Sequence, residues 1–403
     1  MKKVLTTLSV CGLICSTNAF SKDFILTSSA DNLEVSSWEI NSTDLGLTGA
    51  PSFSVVKKTL HGGKQEGSTL ITIDTKDLQV SLIPTRGMDI FEIKSGDVRF
   101  GWKSPVDEIV NPAFVNLEMR NGLGWLDGFN EMMVRCGFEW TGHPGQEKGR
   151  LMSLHGRAGN TPASKVVVSI DETAPFAIHV KGLIKENTFK FSALDTWTEL
   201  TVVPGSKSVK VHDELTNNSD YDRDYQIIYH SNFGQPILEE GAKFTAPAKE
   251  ISPFNDYAKK GLKDWQTYLG PTKGYDEMVF NLVPLADKDG NTLAMLSNRA
   301  SDKGIAVGFN TKQLPVLTLW KNTDSLKQGY VTGIEPGTSY AYARQVERQQ
   351  GRVKTLAPDG KQSFDVEYRV LTSAEEVSNT QNEINTILGN NKTKLVSEPI
   401  AKE

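Results

Sequence analysis

The sequence has 403 residues, of which 38% are hydrophobic and 23% are charged, and its formal net charge at pH 7 is −5. This composition can support a sizeable core and excludes a chain that is disordered throughout. The acidic balance, with no basic stripe, argues against nucleic acid as a partner. Length alone leaves open whether the chain forms two or three average domains or one large β-sandwich.

The N-terminus is typical of a secretory signal peptide. Two lysines precede an apolar run, Val4–Cys15, and small residues, Ala19 and Ser21, occupy the positions of a cleavage site. The apolar run is shorter than the ~20 residues that a membrane span needs. We therefore predict that residues 1–21 are a cleaved signal, that the mature protein does not enter the membrane, and that it is periplasmic or secreted.

Cleavage of that signal would leave Cys136 as the one cysteine of the mature chain. No intrachain disulfide could then form, and an exported protein without disulfides must depend on its hydrophobic core. A large domain in a bacterial periplasm meets that condition. Residues 22–52, which follow the signal, are predicted to be an N-terminal arm.

Residues 53–373 consist mostly of short alternating segments separated by Gly, Pro and Asn turns, which is typical of a β-sandwich or barrel. The stretch STLITIDTKDLQVSLIPTRG predicts a hairpin that turns at Thr75–Asp77. In SVKVHDELTNNS, the residues Val209, Val211 and Asp213 alternate onto one face of a strand. From Ser373 a capping box predicts a helix to about Leu388, followed by a polar tail up to residue 403.

The segment NPAFVNLEMRNGLGWLDGFNEMMVRCGFEWTGHPG, residues 111–145, is rich in Gly and aromatic residues and has no periodicity. A long irregular segment inside a β-fold is often functional. Its aromatic rings could form the floor of a sugar site, because a pyranose has an apolar C–H face, and its polar side chains could bind hydroxyl groups. A minor core beneath a long loop is the alternative. The candidates are the aromatic residues Trp102, Trp125, Phe129 and Trp140 and the polar residues Arg120, Asn121 and Arg135.

Two histidines stand where a predicted strand ends. His155 lies in LMSLHGRAGNTPA, and His230 lies in IIYHSNFGQP, between an apolar run and a Gly-Gln-Pro turn. Such a position can deliver an imidazole to a cavity where a proton moves, although a hydrogen-bonded turn histidine would give the same pattern. By contrast, His179 and His212 lie inside alternating strands and are predicted to be surface or cross-strand residues.

Two carboxylates also stand at strand ends. Glu335 precedes Pro336-Gly337 in QGYVTGIEPGTSYAYAR, and Asp276 follows Gly274-Tyr275 in TKGYDEMVF. Either could face a cleft, because proline ends a strand ladder, or could be a solvated turn residue. No metal-binding spacing, Walker loop, dinucleotide-binding glycine pattern or nucleophile elbow is present. The sequence therefore predicts a reaction without metal or cofactor, or plain binding.

Taken together, these residues resemble the aldose 1-epimerase (galactose mutarotase) superfamily, in particular its DUF4432-type branch. The resemblance covers roughly residues 55–372, and it depends on the ordered set rather than on any single motif. It implies an all-β fold, one large antiparallel β-supersandwich over residues 53–373, with the sugar site on the concave face of one sheet. The stretches that carry it are PTRGMDI, GWKSP, GLGWLDGFNEMMVRCG, LHGRAGN, YHSNFG, GYDEMVF, LWKNTD and GIEPGTSYAYAR.

The resemblance also implies roles for individual residues. It makes His230 the general acid, Glu335 the general base and His155 a sugar-binding imidazole, and less directly it makes Asp276 a ligand of sugar hydroxyls. Trp320 in LWKNTD joins Trp125 and Asn121 as a candidate substrate contact. The chain departs from the family pattern where HGR replaces HGG, where SNFGQP replaces SYFNL, and in its Trp-rich insertion.

Arg86 in PTRGMD and Arg157 in LHGRAG raise the hypothesis of an acidic sugar, because a guanidinium binds carboxylate or sulfonate. Internal pairing, for example of Arg86 or Arg157 with Asp89, is the alternative. The predicted function is the interconversion of α and β anomers of a free aldose by acid–base catalysis. A non-catalytic carbohydrate-binding protein and a lyase on the same fold are the other hypotheses. A His230 and a Glu335 several ångströms apart across a pocket would favour mutarotation, whereas a Glu335 held in a salt bridge elsewhere would favour binding.

Overall fold

The computed structural model describes residues 21–401, so the predicted signal peptide lies outside the described residues except for Ser21. Strands dominate this part of the chain. The first thirteen are β1 (Ser21–Ser28), β2 (Leu33–Glu34), β3 (Ser37–Asn41), β4 (Ser54–Thr59), β5 (Thr69–Asp74), β6 (Gln79–Ile83), β7 (Asp89–Ser95), β8 (Val98–Phe100), β9 (Met133–Phe138), β10 (Gly145–Glu147), β11 (Arg150–Met152), β12 (Lys165–Asp171) and β13 (Ile178–Asn187).

The second half of the chain continues the pattern and adds the longest helix. Its strands are β14 (Ala193–Val202), β15 (Ser208–Asn217), β16 (Arg223–Phe233), β17 (Lys243–Thr245), β18 (Ala248–Pro253), β19 (Met278–Pro284), β20 (Asn291–Ser297), β21 (Gly304–Asn310), β22 (Val316–Asn322), β23 (Val331–Gly337), β24 (Lys354–Leu356), β25 (Lys361–Leu371) and β26 (Lys394–Leu395). The helices are α1 (Met119–Gly122), α2 (Arg344–Gln349) and α3 (Ala374–Leu388), and the 3₁₀ turns are Gly63–Gln65, Pro112–Phe114, Gly124–Asp127, Ala158–Asn160 and Ala258–Asp264.

Within the described residues, two large sheets contain nearly all of these strands. The ten-stranded sheet has the order β17-β20-β21-β25-β15-β14-β13-β12-β1-β2. The fourteen-stranded sheet has the order β26-β18-β19-β22-β23-β16-β9-β7-β6-β5-β4-β3, with β24 and β8 attached at its side. Every pairing of strands in these sheets is antiparallel except that of β26 with β18. The predicted all-β supersandwich is confirmed.

The main core fills the space between the two sheets, because side chains on alternate positions of each strand point inward. The strand β15 shows this clearly: Val209, Val211 and Asp213 are buried and Lys210 and His212 are exposed, as the sequence predicts. A second, smaller apolar cluster lies on the opposite face of the fourteen-stranded sheet, around Trp125, Ile228 and Phe254. That second cluster surrounds the candidate site.

Both ends of the described chain are attached to the sandwich. The predicted N-terminal arm contributes β1 to β3, and β1 pairs with β12. The helix α3 begins at the predicted cap, where the Ser373 side chain accepts a hydrogen bond from the Glu376 amide, and Val377 and Ile384 pack it onto the ten-stranded sheet. The predicted polar tail is paired rather than free, because β26 extends the fourteen-stranded sheet. None of the helices in the described part of the chain has the length and apolar character of a membrane span.

Candidate active site

A cavity of about 230 Å³ opens on the outer face of the fourteen-stranded sheet, over β16, β23 and β22. Its floor is made by strand residues, and its walls come from the Trp-rich segment and from the loop after β11. The aromatic residues that line it are Trp125, Phe129, Phe254 and Trp320, and the polar residues are His143, His155, His230, Glu277, Thr318 and Glu335. The cavity therefore combines aromatic rings with two carboxylates and three imidazoles.

Strand register places the two residues with predicted catalytic roles side by side. Ser231 of β16 pairs with Ile334 of β23, and His230 and Glu335 are the neighbouring positions whose side chains face the cavity. The His230 Nε2 atom lies 3.3 Å from Glu335 Oε1. The two groups are thus in contact, which is closer than the several ångströms expected for a pair across an open pocket, and no other ion pair of Glu335 is present among the described residues.

Burial governs the protonation of this pair. His230 is 5% exposed and Glu335 is 2% exposed. Desolvation lowers the pKa of His230 to about 4, because the charged imidazolium is disfavoured away from water. Desolvation also raises the pKa of Glu335 well above its usual value, and the nearby Glu277 carboxylate adds to that effect. Burial therefore favours the neutral imidazole of His230 and the protonated carboxyl group of Glu335 over their charged forms.

His155 completes a cluster of rings at the base of the cavity. Its ring centroid lies 4.8 Å from that of Trp125 and 5.2 Å from that of His230, both in edge-on geometry. His155 has a left-handed backbone conformation, with φ of 57°, at the turn where the LHGR motif leaves β11. Burial lowers the pKa of His155 well below its usual value, and the neighbouring His230 contributes in the same direction. His155 is therefore a neutral hydrogen-bonding group in this site.

Several residues that line the cavity have a buried polar atom without a hydrogen-bond partner among the described residues. They are Trp125 Nε1, His155 Nδ1 and Thr318 Oγ1. Buried polar atoms are normally paired, and an orphan donor or acceptor costs roughly 1–3 kcal/mol. Such a set, with both donors and acceptors, fits a ligand that carries several hydroxyl groups.

Sequence reasoning selected Asp276 but missed its neighbour Glu277. Asp276 is exposed, does not line the cavity and accepts a hydrogen bond from the Glu277 amide. Glu277 lines the cavity, and its Oε2 accepts a hydrogen bond of 2.7 Å from Trp320 Nε1. The alternation of side chains into β19 could have favoured Glu277, because Val279, two residues later, also faces the cavity. Thr318, His143 and Phe254 were missed as well, since nothing in their local sequence marks them.

The arginines proposed to bind an acidic sugar lie outside the cavity. Arg86 is fully buried and bonds to Glu131 Oε1 at 2.6 Å, so its pairing is internal, although with Glu131 rather than Asp89. Arg157 bonds to Glu139 at 3.1 Å and lies over the Trp140 ring. The hypothesis of an acidic sugar therefore has no guanidinium in the cavity to support it.

Other candidates from the Trp-rich segment also serve elsewhere. Arg135 points between the two sheets and bonds to Asp213. Asn121 is exposed, does not line the cavity and has a left-handed conformation. Trp102, which precedes this segment, donates to the Glu131 carbonyl. Of this segment, Trp125 and Phe129 line the cavity as predicted. Within residues 21–401, no cluster of His, Cys, Asp or Glu is arranged to hold a metal ion.

Comparison with known proteins places these observations in a family. The family model described as Domain of unknown function (DUF4432) matches residues 65–370. A crystal structure from Klebsiella pneumoniae subsp. pneumoniae MGH 78578, provisionally described as an aldose 1-epimerase, matches with a TM-score of 0.94 and 58% identity, over 95% of this chain and 100% of that chain.

More distant structures share the fold. A galactose mutarotase-like protein from Clostridium acetobutylicum matches with a TM-score of 0.52 and 13% identity, over 84% of this chain and 99% of its own. A galactose 1-epimerase from Lactobacillus acidophilus NCFM matches with a TM-score of 0.52 and 12% identity, over 79% of this chain and 99% of its own. No curated protein matches the chain.

Proposed function

This chain belongs to the DUF4432 family, and we propose that it is an aldose 1-epimerase-like isomerase, which interconverts the α and β anomers of a free aldose by acid–base catalysis. The observation that carries the proposal is that His230 and Glu335 face the same cavity, which is lined by aromatic rings, with Nε2 and Oε1 3.3 Å apart. The orphan polar atoms of Trp125, His155 and Thr318 support a polyhydroxylated ligand. The relative from Klebsiella, provisionally described as an aldose 1-epimerase, supports the same activity.

The reaction needs two proton transfers at one hemiacetal. Glu335 accepts the proton of the anomeric hydroxyl while His230 donates a proton to the ring oxygen. The bond between C1 and the ring oxygen breaks, and the open aldehyde rotates about C1–C2. The reverse transfers then close the ring on the other face of the aldehyde. Each positioned acid or base contributes typically about 10²–10⁴-fold to such a reaction.

These roles require Glu335 ionised and His230 protonated, which is one proton transfer away from the neutral pair that burial favours. Sugar hydroxyls that donate to the Glu335 carboxylate would stabilise its charged form and lower its pKa. The proton held by Glu335 then moves to His230 across their contact. The pair thus shares one exchangeable proton in both states, and substrate binding decides which partner holds it.

The cavity favours a neutral sugar over an acidic one. Its acidic lining groups are Glu277 and Glu335, and among the described residues no Lys or Arg lines it. The face of Trp320, held by its bond to Glu277, and that of Phe129 offer the apolar surface that a pyranose ring needs. The proposed substrate class is therefore a free, uncharged aldose.

Anomer exchange measured by polarimetry on a panel of free aldoses and uronates tests the proposal. We expect Glu335→Gln and His230→Asn each to reduce exchange by about 10²-fold or more. Glu347→Gln is a matched control, because Glu347 is a buried glutamate bonded to Arg352 and does not line the cavity. Equal exchange by wild type and Glu335→Gln would refute the assignment. Sugar binding by the wild type without faster exchange would replace it with a binding function.

A further inference from the structure

The second ring nitrogen of His230 meets a buried amide. His230 Nδ1 lies 2.7 Å from Asn232 Oδ1, and Asn232 is fully buried two residues further along β16, on the same face of the strand. Asn232 Nδ2 donates to two backbone carbonyls, that of Glu131 at 3.0 Å and that of His230 at 3.1 Å. Asn232 therefore bonds to the imidazole through one end of its amide and to the backbone through the other.

These contacts determine the orientation of the amide. A carbonyl oxygen only accepts hydrogen bonds, so both carbonyls require the NH₂ end of Asn232. The opposite orientation would place the amide oxygen of Asn232 against two carbonyl oxygens, and these two buried carbonyls would lose the hydrogen bonds that Asn232 donates. The Oδ1 atom must then face His230, and since Oδ1 can only accept, His230 Nδ1 must carry the hydrogen.

We propose that Asn232 is a positioning residue that holds His230 in the Nδ1–H tautomer, so that Nε2 is the nitrogen that exchanges protons with Glu335 and the substrate. The consequence for catalysis rests on the proposed function. The tautomer itself rests only on the hydrogen bonds of Asn232.

This tautomer matters because of what faces Nε2. In the neutral Nδ1–H form, Nε2 presents a lone pair to Glu335 Oε1 at 3.3 Å, and this contact is favourable only if a proton lies between the two atoms. In the other tautomer Nε2 already carries hydrogen, so it could not accept the proton of Glu335. The other titratable ring against His230 is that of His155, at 5.2 Å between centroids. Nδ1 is thus the nitrogen reserved for positioning, and Nε2 is the nitrogen left for chemistry.

The tautomer can be read directly from protein labelled with ¹⁵N-histidine. The His230 signals are assigned by comparison with His230→Asn. At pH 7 we expect one His230 nitrogen with a bound proton, Nδ1, and an Nε2 with the shift of an unprotonated ring nitrogen. A His230 with its proton on Nε2 and none on Nδ1 would overturn the proposal. This result would leave the polarimetric test of Glu335 and His230 untouched, so the two hypotheses fail separately.

Asn232→Ser supplies the second arm of the test, because a rotating hydroxyl can donate as well as accept and no longer dictates a tautomer. We expect the Nε2–H form to appear and kcat for anomer exchange to fall about 10- to 100-fold, with KM changed less than about threefold. Asn217→Ser is the matched control: Asn217 is also fully buried, donates to the carbonyls of Leu356 and Ala357, and lies outside the cavity. It should lose stability but keep the wild-type tautomer and kcat. An Asn232→Ser protein with unchanged tautomer would also overturn the proposal.

Discussion

Substitution of Arg135 by methionine should destabilise the fold more than any surface ion pair can, because this guanidinium joins the two sheets. Arg135 on β9 is 1% exposed and bonds to both carboxylate oxygens of Asp213 on β15, at 2.7 and 3.0 Å. It also bonds to the carbonyls of Gly87 and Met88 and to Asp89. The side chain therefore satisfies five acceptor contacts in a region without water access.

The expected loss in the free energy of unfolding follows from the buried carboxylate that the substitution leaves without its partner. In Arg135→Met, the Asp213 carboxylate stays fully buried with only the Tyr229 hydroxyl, at 2.7 Å, as a remaining side-chain donor. Removing one partner of a buried ion pair typically costs about 3–5 kcal/mol. The double variant Arg135→Met/Asp213→Leu removes both charges and should recover at least about 2 kcal/mol of that loss, since buried pairs can often be replaced by apolar residues.

Chemical unfolding followed by tryptophan fluorescence measures these differences. Arg369→Met is the matched control, because Arg369 pairs with Glu367 and Glu383 at the surface, where a pair contributes about 0–1 kcal/mol. If Arg135→Met lowers the free energy of unfolding no more than Arg369→Met does, the buried pair does not hold the sheets together. A double variant that is less stable than Arg135→Met would show that the cost is one of packing rather than of an unpaired charge.

Two further predictions concern charge. Glu277→Gln keeps an acceptor for Trp320 but removes a carboxylate from the cavity. The affinity for a uronate should therefore rise about fivefold, equivalent to ~1 kcal/mol near a surface, while the affinity for the parent aldose stays the same. Equal changes for the two sugars in calorimetry would contradict this prediction. Burial, opposed by Arg135, raises the pKa of Asp89 to about 8. The folded state then holds a proton on Asp89 that the unfolded state releases near pH 4. The stabilisation from this proton is complete below about pH 4. It falls by up to about 1.4 kcal/mol per pH unit as the pH rises toward 8, and it is lost once the pH passes 8. Unfolding measured from pH 5 to 9 should show this slope in wild type and a shallower one in Asp89→Asn; equal slopes would exclude it.

The sequence was informative where a pattern is local. Strand alternation and turn residues predicted the hairpin of β5 and β6 and the faces of β15, and the capping box predicted the start of α3. His155, His230 and Glu335 were selected as strand-end residues, and all three line the cavity. The strand ends were wrong for two of them, because β16 continues to Phe233 and β23 continues through Gly337. In each case the determining residues lie within a few positions of one another.

Prediction was less successful where the partner of a side chain is distant in the chain. Arg86 pairs with Glu131, 45 residues away, and Arg135 pairs with Asp213, 78 residues away. No local pattern shows such a carboxylate, so an arginine near a predicted pocket cannot be distinguished from one that pairs internally. The choice of Asp276 over Glu277 has a different cause. Side-chain period in a strand is two, and an error of one residue in where β19 begins reverses which carboxylate faces the cavity.

The same period of two explains how one strand can present the proposed catalytic imidazole on one face and anchoring side chains on the other. Along β16, His230 and Asn232 lie on the face of the sheet that carries the cavity, and His230 lines it, while Tyr229 and Ser231 face the ten-stranded sheet. There Tyr229 donates to Asp213 at 2.7 Å, and Ser231 bonds to the Tyr368 hydroxyl at 2.8 Å. The backbone on either side of His230 is therefore tied across the sandwich by polar contacts, and its imidazole is tied along the strand by Asn232. The proposed proton transfer between His230 and Glu335 depends on such constraint, because a small displacement of β16 against β23 would separate Nε2 and Oε1, which lie 3.3 Å apart.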